Sequence, residues 1–256
     1  MHEYHHIAEL YAVDFADVHD DVDFYRSFAQ HTRGPIIEFM CGTGRVCVPL
    51  AADGNAVVGV DTSDDMLAIA QRTRDTNQVE HLTLHHGDVR HWQGETKFGL
   101  AIVALNSFMH LTSVEDQVQA LVNIHHNLQP GGYLVLDLFH PDMRALPDYK
   151  GDVVLDKRFV LPDGRTVHKF VSQWSDIAQQ LIHVVFMYDI NDTAHGIQRK
   201  SASFAMRYFW RYEIEHLLAR SGFTLQHCYG SYDLDPFGSE SEQMLIVAKR
   251  NNKSRA

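Results

Sequence analysis

The sequence lacks any concentration of positive charge apart from its last residues. Lys and Arg together number 22 against 33 Asp and Glu, which gives a formal net charge of −11. The one basic run is the short tail over residues 249–255. Because contacts to nucleic-acid phosphates require clustered Lys and Arg, we expect no nucleic-acid partner.

The chain also lacks long apolar runs. No apolar stretch reaches the roughly 18 residues that a membrane-spanning helix requires. The N-terminal segment MHEYHHIAELYAVDFADVHDD carries acidic residues where a secretory signal would need a basic segment followed by an apolar one. We therefore expect a cytoplasmic protein that does not interact with membranes.

Cysteine is scarce, and histidine is abundant but poorly arranged for a metal. Cys41, Cys47 and Cys228 are odd in number, lack metal-type spacing and have apolar neighbours, which is typical of reduced core residues. Many of the 18 His residues occur as adjacent pairs such as His85-His86. Adjacent residues point to different faces of a helix or strand, so we expect no metal site.

The sequence does contain a regular alternation of short apolar runs and helical patterns. The β-branched apolar runs lie at residues 35–41, 56–62, 82–88, 100–106 and 133–139, and the helical patterns at 45–52, 64–74 and 114–128. Ser63 and Ser113 precede the last two helices and are favourable caps. Near-continuous apolar strands separated by helices predict an α/β fold with a doubly wound, mostly parallel sheet.

The pattern changes after Pro141. Runs at 158–161, 166–175, 180–190 and 201–209 are joined by connections too short for crossover helices, which predicts consecutive antiparallel strands. A helical pattern at 212–222 and strands at 223–230 and 243–250 then complete a seven-stranded main sheet. We therefore expect an antiparallel β subdomain at 141–206, inserted into an α/β domain formed by 1–140 and 207–256.

A glycine turn joins the first strand of this sheet to the first helix. Residues 36–51 read IIEFMCGTGRVCVPLA, and Asp61 ends the second strand. Nicotinamide or flavin enzymes and S-adenosylmethionine enzymes share a turn of this kind. The dinucleotide pattern G-x-G-x-x-G lacks its third glycine here, because Cys47 stands in its place after Gly42 and Gly44. An NAD(P)-dependent oxidoreductase is thus disfavoured but stays open as an alternative.

Six ordered motifs carry a family resemblance. They are Glu38 with CGTGR (41–45), VVGVDTSDDML (57–67), HHGDV (85–89), LNSFMHL (105–111), LQPGGYLVLDLFHP (128–141) and RYFWRYEIEHLLARSGF (207–223). Together they resemble class I S-adenosylmethionine-dependent methyltransferases, in particular the small-molecule branch that includes sugar N-methyltransferases. The resemblance covers about residues 20–139 and 207–250, and it implies that residues 1–34 form an N-terminal lid and helix.

The resemblance implies S-adenosyl-L-methionine as cofactor and S-adenosyl-L-homocysteine as product. A carboxylate such as Asp61 can accept two strong hydrogen bonds from a ribose diol. By resemblance, Asp88 meets the adenine amino group, the Val89 backbone meets the ring edge, and Glu38 lies near the methionine ammonium. The full set of implied cofactor-binding residues is Tyr11, Glu38, Cys41, Gly42, Gly44, Asp61, Thr62, Met66, Asp88, Val89, Leu105 and Asn106.

Position 40 departs from the family, which usually has glycine where this chain has Met40. A methionine there could crowd the amino-acid end of the cofactor. However, a strand residue between Phe39 and Cys41 faces the side opposite both. We therefore expect the Met40 side chain to point into the sheet core.

Methyl transfer from a sulfonium requires mainly in-line placement, at roughly 3 Å, of a deprotonated nucleophile. The candidate catalytic residues are His110 after the fourth strand and Asp137 and His140 near the end of the fifth. For His110, a structural histidine at a helix start is an equally good interpretation. We expect transfer to a nitrogen or oxygen of a small-molecule acceptor by a monomer or homodimer. A cofactor-binding module without catalysis is the other alternative.

Overall fold

The structure is a computed structural model, and it describes residues 4–192 and 196–251. Its helices are α1 (Ala8–Asp14), α2 (Asp20–His31), α3 (Cys47–Ala52), α4 (Asp64–Thr76), α5 (Val114–Asn127) and α6 (Arg211–Arg220). Its strands are β1 (Ile36–Phe39), β2 (Val57–Asp61), β3 (Leu82–His86), β4 (Phe98–Val103), β5 (Leu128–Phe139), β6 (Lys150–Val160), β7 (Thr166–Asp176), β8 (Leu181–Asp192), β9 (Gly196–Arg207), β10 (Phe223–Tyr229) and β11 (Gln243–Arg250).

The main sheet has seven strands in the order β10-β11-β5-β4-β1-β2-β3. Strands β1 to β5 pair in parallel, and β11 runs antiparallel between β5 and β10. Every residue of β1 and β4 is buried, as expected for central strands covered by helices on both faces. The predicted α/β fold with a mostly parallel seven-stranded sheet is confirmed.

Local capping explains where two of the helices begin. The side-chain oxygen of Ser63 accepts a hydrogen bond from the Met66 N–H at 3.4 Å, and that of Ser113 accepts one from the Asp116 N–H at 3.1 Å. These bonds satisfy N–H groups that have no partner within the helix. Both caps place the helix start directly after a strand end or the loop that follows it, at the edge of the sheet where the parallel strands end.

A second sheet contains β6-β7-β8-β9, all antiparallel. Its first strand begins at Lys150, eight positions before the start that the sequence predicts at Arg158. The earlier boundary was wrong because β6 is an edge strand. Val153, Val154 and Leu155 are each about 60% exposed, so the alternation of buried and exposed residues that marks a strand is missing there.

The N-terminal helix α1 and the residue before it connect the second sheet to helix α4. Ile7 and Leu10 pack against Tyr188 and Ile190 of β8, while Ala8 packs against Met66 of α4. The described part of the N-terminal segment therefore contacts the second sheet and a helix that packs against β2 and β3 of the main sheet.

Helix α2 is fixed to the glycine turn by a buried ion pair. Both guanidinium nitrogens of Arg45 donate to the Asp21 carboxylate at 2.6 Å, and Arg45 also donates to the Val18 carbonyl at 3.0 Å. The Asp21 side chain is completely buried, so this paired geometry is required for its charge to be tolerated.

None of the helices within residues 4–192 and 196–251 is long and apolar enough to cross a membrane. The same residues contain no group of three or more His, Cys, Asp or Glu side chains placed to hold a metal ion.

Candidate functional site

Two adjoining cavities lie at the edge where the parallel strands end. The first, of about 200 Å³, is lined by Tyr4, Tyr11, Phe15, Met40, Gly42, Asp61, Thr62, Ser63, Met66, Leu105, Asn106, Ser107, His110, Gln173, Val184, Phe186, Phe204 and Met206. The second, of about 210 Å³, is lined by Met40, Asp61, Thr62, Gly87, Asp88, Val89, Arg90, His110, Leu111 and Asp116. Ligand pockets typically measure roughly 300–1,000 Å³, so each cavity is small for a nucleoside-containing ligand and the two together fit better. Open α/β sheets bind their ligands at this edge.

Asp61, at the end of β2, faces both cavities. One carboxylate oxygen accepts the Gly42 N–H at 2.8 Å and the other accepts the Ser63 N–H at 2.9 Å. Burial raises the pKa of Asp61, while these backbone donors lower it. A carboxylate has about four acceptor positions, so Asp61 retains capacity for a diol. Gly42 has a φ of +52° and open space where a Cβ would stand, so a ligand can approach its backbone closely.

Three non-glycine residues that line the first cavity have left-handed backbone conformations. They are Met40, with φ +59°, and the consecutive pair Leu105 and Asn106, with φ +46° and +62°. Such conformations cost roughly 1–2 kcal/mol each for a residue with a Cβ. The loop after β4 is held by hydrogen bonds, since Asn106 accepts the Phe139 N–H at 2.5 Å and donates its own N–H to the Asp137 carbonyl at 3.0 Å.

The expectation that Met40 points into the sheet core was wrong. Strand β1 ends at Phe39, and the left-handed turn at Met40 breaks the alternation on which that expectation rested. Met40 is half-buried and lines both cavities, together with Asp61, Thr62 and His110. Its side chain therefore lies where the cavities adjoin, at a position whose backbone favours glycine.

Glu38 is buried directly behind the glycine turn. Its side chain is 2% exposed, and its Oε2 has no hydrogen-bond partner. Burial raises the pKa of Glu38 to about 8, although the positive charge of Arg45 opposes the shift. A buried, unsatisfied carboxyl oxygen behind the turn fits a site that receives a cationic group.

The second cavity is bordered by a pair of carboxylates that share one arginine. Arg90 donates to both oxygens of Asp88, at 2.9 and 2.6 Å, and to Asp116 at 2.6 Å. The guanidinium holds the pKa of Asp88 below its ordinary value. Val89 is buried beside it and also lines the cavity. The cavity thus offers a fixed, ionised acceptor at its rim.

His110 lies in a cluster of aromatic rings. It ends a 3-10 turn over Ser107–His110, and its ring centroid is 5.8 Å from that of Tyr4 and 5.2 Å from that of Phe204. The Tyr4 hydroxyl is 3.4 Å from His110 Nε2. Burial lowers the pKa of His110 to about 4, so the imidazole is neutral near pH 7. It can exchange hydrogen bonds with a ligand but is a weak base.

The other two candidate catalytic residues lie away from both cavities. The Asp137 carboxylate accepts hydrogen bonds from the hydroxyls of Tyr25 and Tyr232, each at 2.9 Å, and from the Leu105 N–H at 3.1 Å. The ring nitrogen Nδ1 of His140 is 2.9 Å from the Ser241 carbonyl. Asp137 and His140 therefore make structural contacts, and neither lines the space where a ligand would fit.

The candidate cofactor-binding residues line the first cavity, the second cavity or neither. Tyr11, Gly42, Asp61, Thr62, Met66, Leu105 and Asn106 line the first cavity, and Asp88 and Val89 line the second with Asp61 and Thr62. Glu38, Cys41 and Gly44 line neither cavity. At Gly44 a Cβ would lie 3.0 Å from that of Ala70, so the glycine permits close packing of the glycine turn against α4.

Sequence reasoning missed part of the wall of the first cavity that the second sheet provides. Gln173 of β7, Val184 of β8 and Met206 of β9 were not singled out, and Phe15 was not either. Each lies in an ordinary strand or helix-end pattern, where apolar residues usually indicate core packing. Only the docking of the two sheets gives them a common cavity.

This chain is similar in sequence to a methyltransferase family and to individual methyltransferases. Residues 36–132 match a family described as a methyltransferase domain. A relative from Streptomyces venezuelae, dTDP-3-amino-3,4,6-trideoxy-alpha-D-glucopyranose N,N-dimethyltransferase, is 24% identical over 86% of this chain and 94% of its own. The cypemycin N-terminal methyltransferase of a Streptomyces species is 26% identical over 84% of this chain and 82% of its own.

Among solved structures, an S-adenosylmethionine-dependent methyltransferase from Clostridium acetobutylicum superposes with a TM-score of 0.78 at 17% identity. The match covers 96% of this chain and 98% of that one. At this identity the likeness shows the fold, including both sheets, and leaves the chemistry to the residues of the site.

The pKa of Glu38 generates a prediction about stability. With a folded-state pKa of about 8 against 4.5 ordinarily, the folded protein retains a proton that the unfolded chain releases between those values. Stability therefore falls as pH rises through this window, by at most about 1.4 kcal/mol per pH unit. Glu38→Gln should make the pH dependence of stability less negative by up to that amount, as measured by urea unfolding across the window, while buried groups such as Asp61 keep their own contributions. The exposed Glu80→Gln is the matched control, and a slope in Glu38→Gln equal to that of the parent protein would contradict the assignment.

Proposed function

Because residues 36–132 match a methyltransferase domain, we propose that this chain transfers the methyl group of S-adenosylmethionine to a nitrogen of a small-molecule acceptor. The observation that carries this proposal is the pair of adjoining cavities. Asp61 and Gly42 stand at the strand ends on one side, and aromatic side chains from the second sheet stand on the other. This arrangement suits a cofactor held by the parallel sheet and an acceptor held beside it.

The residues at the strand ends would hold the cofactor. The Asp61 carboxylate is fixed by two backbone N–H groups and would accept the ribose hydroxyls. Asp88 and the Val89 backbone would border the adenine in the second cavity. Glu38 lines neither cavity, so it would act on the positive amino-acid end from behind the glycine turn, through the negative charge that it gains when it ionises. Bound S-adenosylmethionine supplies a methyl group that its sulfonium has already activated.

The choice of nitrogen as the acceptor atom follows from the lack of a strong base. Among the described residues that line the first cavity, His110 is the only histidine. Burial lowers the pKa of His110 to about 4, so its imidazole is a weak base. A hydroxyl oxygen is a weak nucleophile until a base removes its proton. The nitrogen lone pair of a neutral amine is nucleophilic without the help of a base. The Streptomyces venezuelae relative is named as an N,N-dimethyltransferase, and the other Streptomyces relative is named as an N-terminal methyltransferase.

We assign the binding of the acceptor to residues 141–206 together with the N-terminal segment. Val184 and Phe186 of β8 and Phe204 of β9 form one wall of the first cavity, opposite the strand ends. His110 would accept or donate one hydrogen bond to the acceptor and so orient its nitrogen. In this proposal catalysis is mainly placement, and Asp137 and His140 support the loops that provide it.

The cofactor assignment is tested by Asp61→Asn, which retains the size of the side chain and removes its charge. Loss of charge-assisted hydrogen bonds should weaken S-adenosylhomocysteine binding by about 1.5–3 kcal/mol. Isothermal calorimetry on both proteins, with the melting temperature as a check on folding, measures the effect. Tight binding of NAD to the parent protein, or equal affinity of the variant for S-adenosylhomocysteine, would refute the assignment.

Met40→Gly should tighten the binding of S-adenosylhomocysteine by about three- to tenfold. The change removes the side chain that lies where the two cavities adjoin and places glycine at a φ of +59°. Relief of the left-handed strain of about 1–2 kcal/mol should offset most of the lost packing, so the melting temperature should change little. Met40→Leu is the control that retains bulk. Tighter binding in both variants would show that the side chain does not restrict the site.

His110→Ala should lower turnover by about 10- to 100-fold and leave S-adenosylhomocysteine affinity unchanged, because placement of the acceptor is lost. His110→Asn should recover part of the rate, since an amide can also exchange hydrogen bonds. With a pKa of about 4, His110 is already neutral above pH 5, so the pH dependence of kcat/KM should contain no inflection from it near pH 6.5. An inflection there that His110→Asn abolishes would restore His110 as the general base.

A further inference from the structure

The acceptor side of the first cavity is aromatic and almost free of charge. Tyr4, Phe15, Phe186 and Phe204 line it, with Gln173 as the one amide from the second sheet. Of all the described residues that line this cavity, only Asp61 has a charged carboxylate or ammonium side chain, and Asp61 belongs to the strand ends. An aromatic wall of this kind admits either an apolar molecule or, through its π faces, a cation.

A buried lysine decides between these two ligands. The ammonium of Lys169 on β7 lies 4.3 Å from the ring centroid of Phe186 and 5.1 Å from that of Phe15. Lys169 is only 5% exposed and does not line the cavity. Two of the rings that a cationic acceptor could use are therefore already engaged by a cation that belongs to the protein.

The Lys169 ammonium is held firmly in this position. It lies 2.8 Å from an oxygen of Asp14, which is 3% exposed, and 2.9 Å from an oxygen of Asp156. The Tyr188 hydroxyl donates to the same Asp14 oxygen at 3.0 Å. Because Asp14 ends α1, this cluster also fixes the N-terminal helix over the cavity. Removal of the lysine to solvent would leave the buried Asp14 carboxylate with only the more distant Lys157 ammonium, 3.6 Å away, so the Lys169 charge stays behind the rings.

The Asp14 and Asp156 carboxylates offset part of the Lys169 charge, so discrimination against a second cation rests mainly on the ring of Phe186, which the Lys169 ammonium already engages. A ring that already faces one ammonium also offers less attraction to another. The same wall does not favour anions, because the Lys169 ammonium is enclosed by two carboxylates and two aromatic rings and is not available to a phosphate.

We infer that this cavity selects acceptors that are uncharged when they bind, with an apolar or aromatic body, and that Lys169 behind Phe15 and Phe186 excludes cationic ones. Lys169 is thus a specificity-determining residue that does not touch the acceptor. The inference rests on the proposed function, since it concerns the acceptor of that reaction. The inference also predicts a different acceptor class from that in the name of the Streptomyces venezuelae relative, which is named for a dTDP-amino sugar. The diphosphate of such a sugar would find no cationic side chain among the described residues that line this cavity.

The test compares three probes on protein saturated with S-adenosylhomocysteine near pH 7. Benzyl alcohol and benzylamine have almost the same shape, but benzylamine is protonated at this pH, and thymidine diphosphate represents the anionic class. Calorimetry or ligand-observed NMR should give benzyl alcohol an affinity at least about tenfold above that of benzylammonium, with no binding of thymidine diphosphate. When the pH is raised until benzylamine is neutral, its affinity should approach that of the alcohol.

Variants of Lys169 assign the selectivity to its charge. Lys169→Met should allow benzylammonium to bind nearly as well as benzyl alcohol, whereas Lys169→Arg, which retains the charge, should preserve the exclusion. Trp174→Ala is the control for β7, because Trp174 is exposed on the opposite face of that strand. If Lys169→Met does not fold, the comparison of the three probes on the parent protein still decides whether the cavity selects uncharged molecules.

Two results would overturn the inference and leave the cofactor assignment intact. One is S-adenosylhomocysteine binding together with benzylammonium or thymidine diphosphate binding at least as tight as that of benzyl alcohol. The other is S-adenosylhomocysteine binding with no binding of either benzyl compound. Failure of S-adenosylhomocysteine itself to bind would instead refute the proposed function, and the inference with it.

Discussion

The hydrogen bonds from two backbone N–H groups to the Asp61 carboxylate determine the geometry of the site. The Gly42 donor belongs to the turn after β1, and the Ser63 donor belongs to the start of α4. One side chain at the end of β2 therefore fixes the two segments that approach a ligand from either side. Because these bonds stabilise the charged form against burial, the carboxylate can remain an acceptor for further hydroxyl groups.

A second buried carboxylate organises the neighbouring strand ends without facing the ligand. Asp137 binds the hydroxyl of Tyr25 on α2, the hydroxyl of Tyr232 and the Leu105 N–H in the loop after β4. Two consecutive left-handed residues, Leu105 and Asn106, persist in that loop because the surrounding hydrogen bonds hold them. Asp61 and Asp137 are thus both carboxylates near strand ends, but Asp61 faces the cavities and Asp137 holds neighbouring segments together. The sequence around each residue does not show which of these roles it has.

The parts of the fold that could be predicted are those that local pattern controls. Continuous apolar runs at the parallel strands and the caps at Ser63 and Ser113 led to the right order of strands and helices. Strand β6 was predicted too short because its exposed apolar residues carry no alternation. Met40 was misjudged because the sequence does not reveal where a strand stops and a left-handed turn begins. The Gln173 and Lys169 contributions required the docking of two sheets, which no local pattern encodes.

The docking of the second sheet also links the position of helix α1 to the positive charge behind the aromatic wall of the first cavity. Asp14 ends the helix that covers the first cavity, and its carboxylate is one of the two partners of Lys169. The contact that closes the cavity is therefore the same contact that places a positive charge behind its aromatic wall. Displacement of α1 would remove the Asp14 partner and the ring of Phe15 together, so the closed position of the helix and the electrostatic character of the wall depend on each other. In this structure, the wall of the first cavity is complete only when the N-terminal segment is in place.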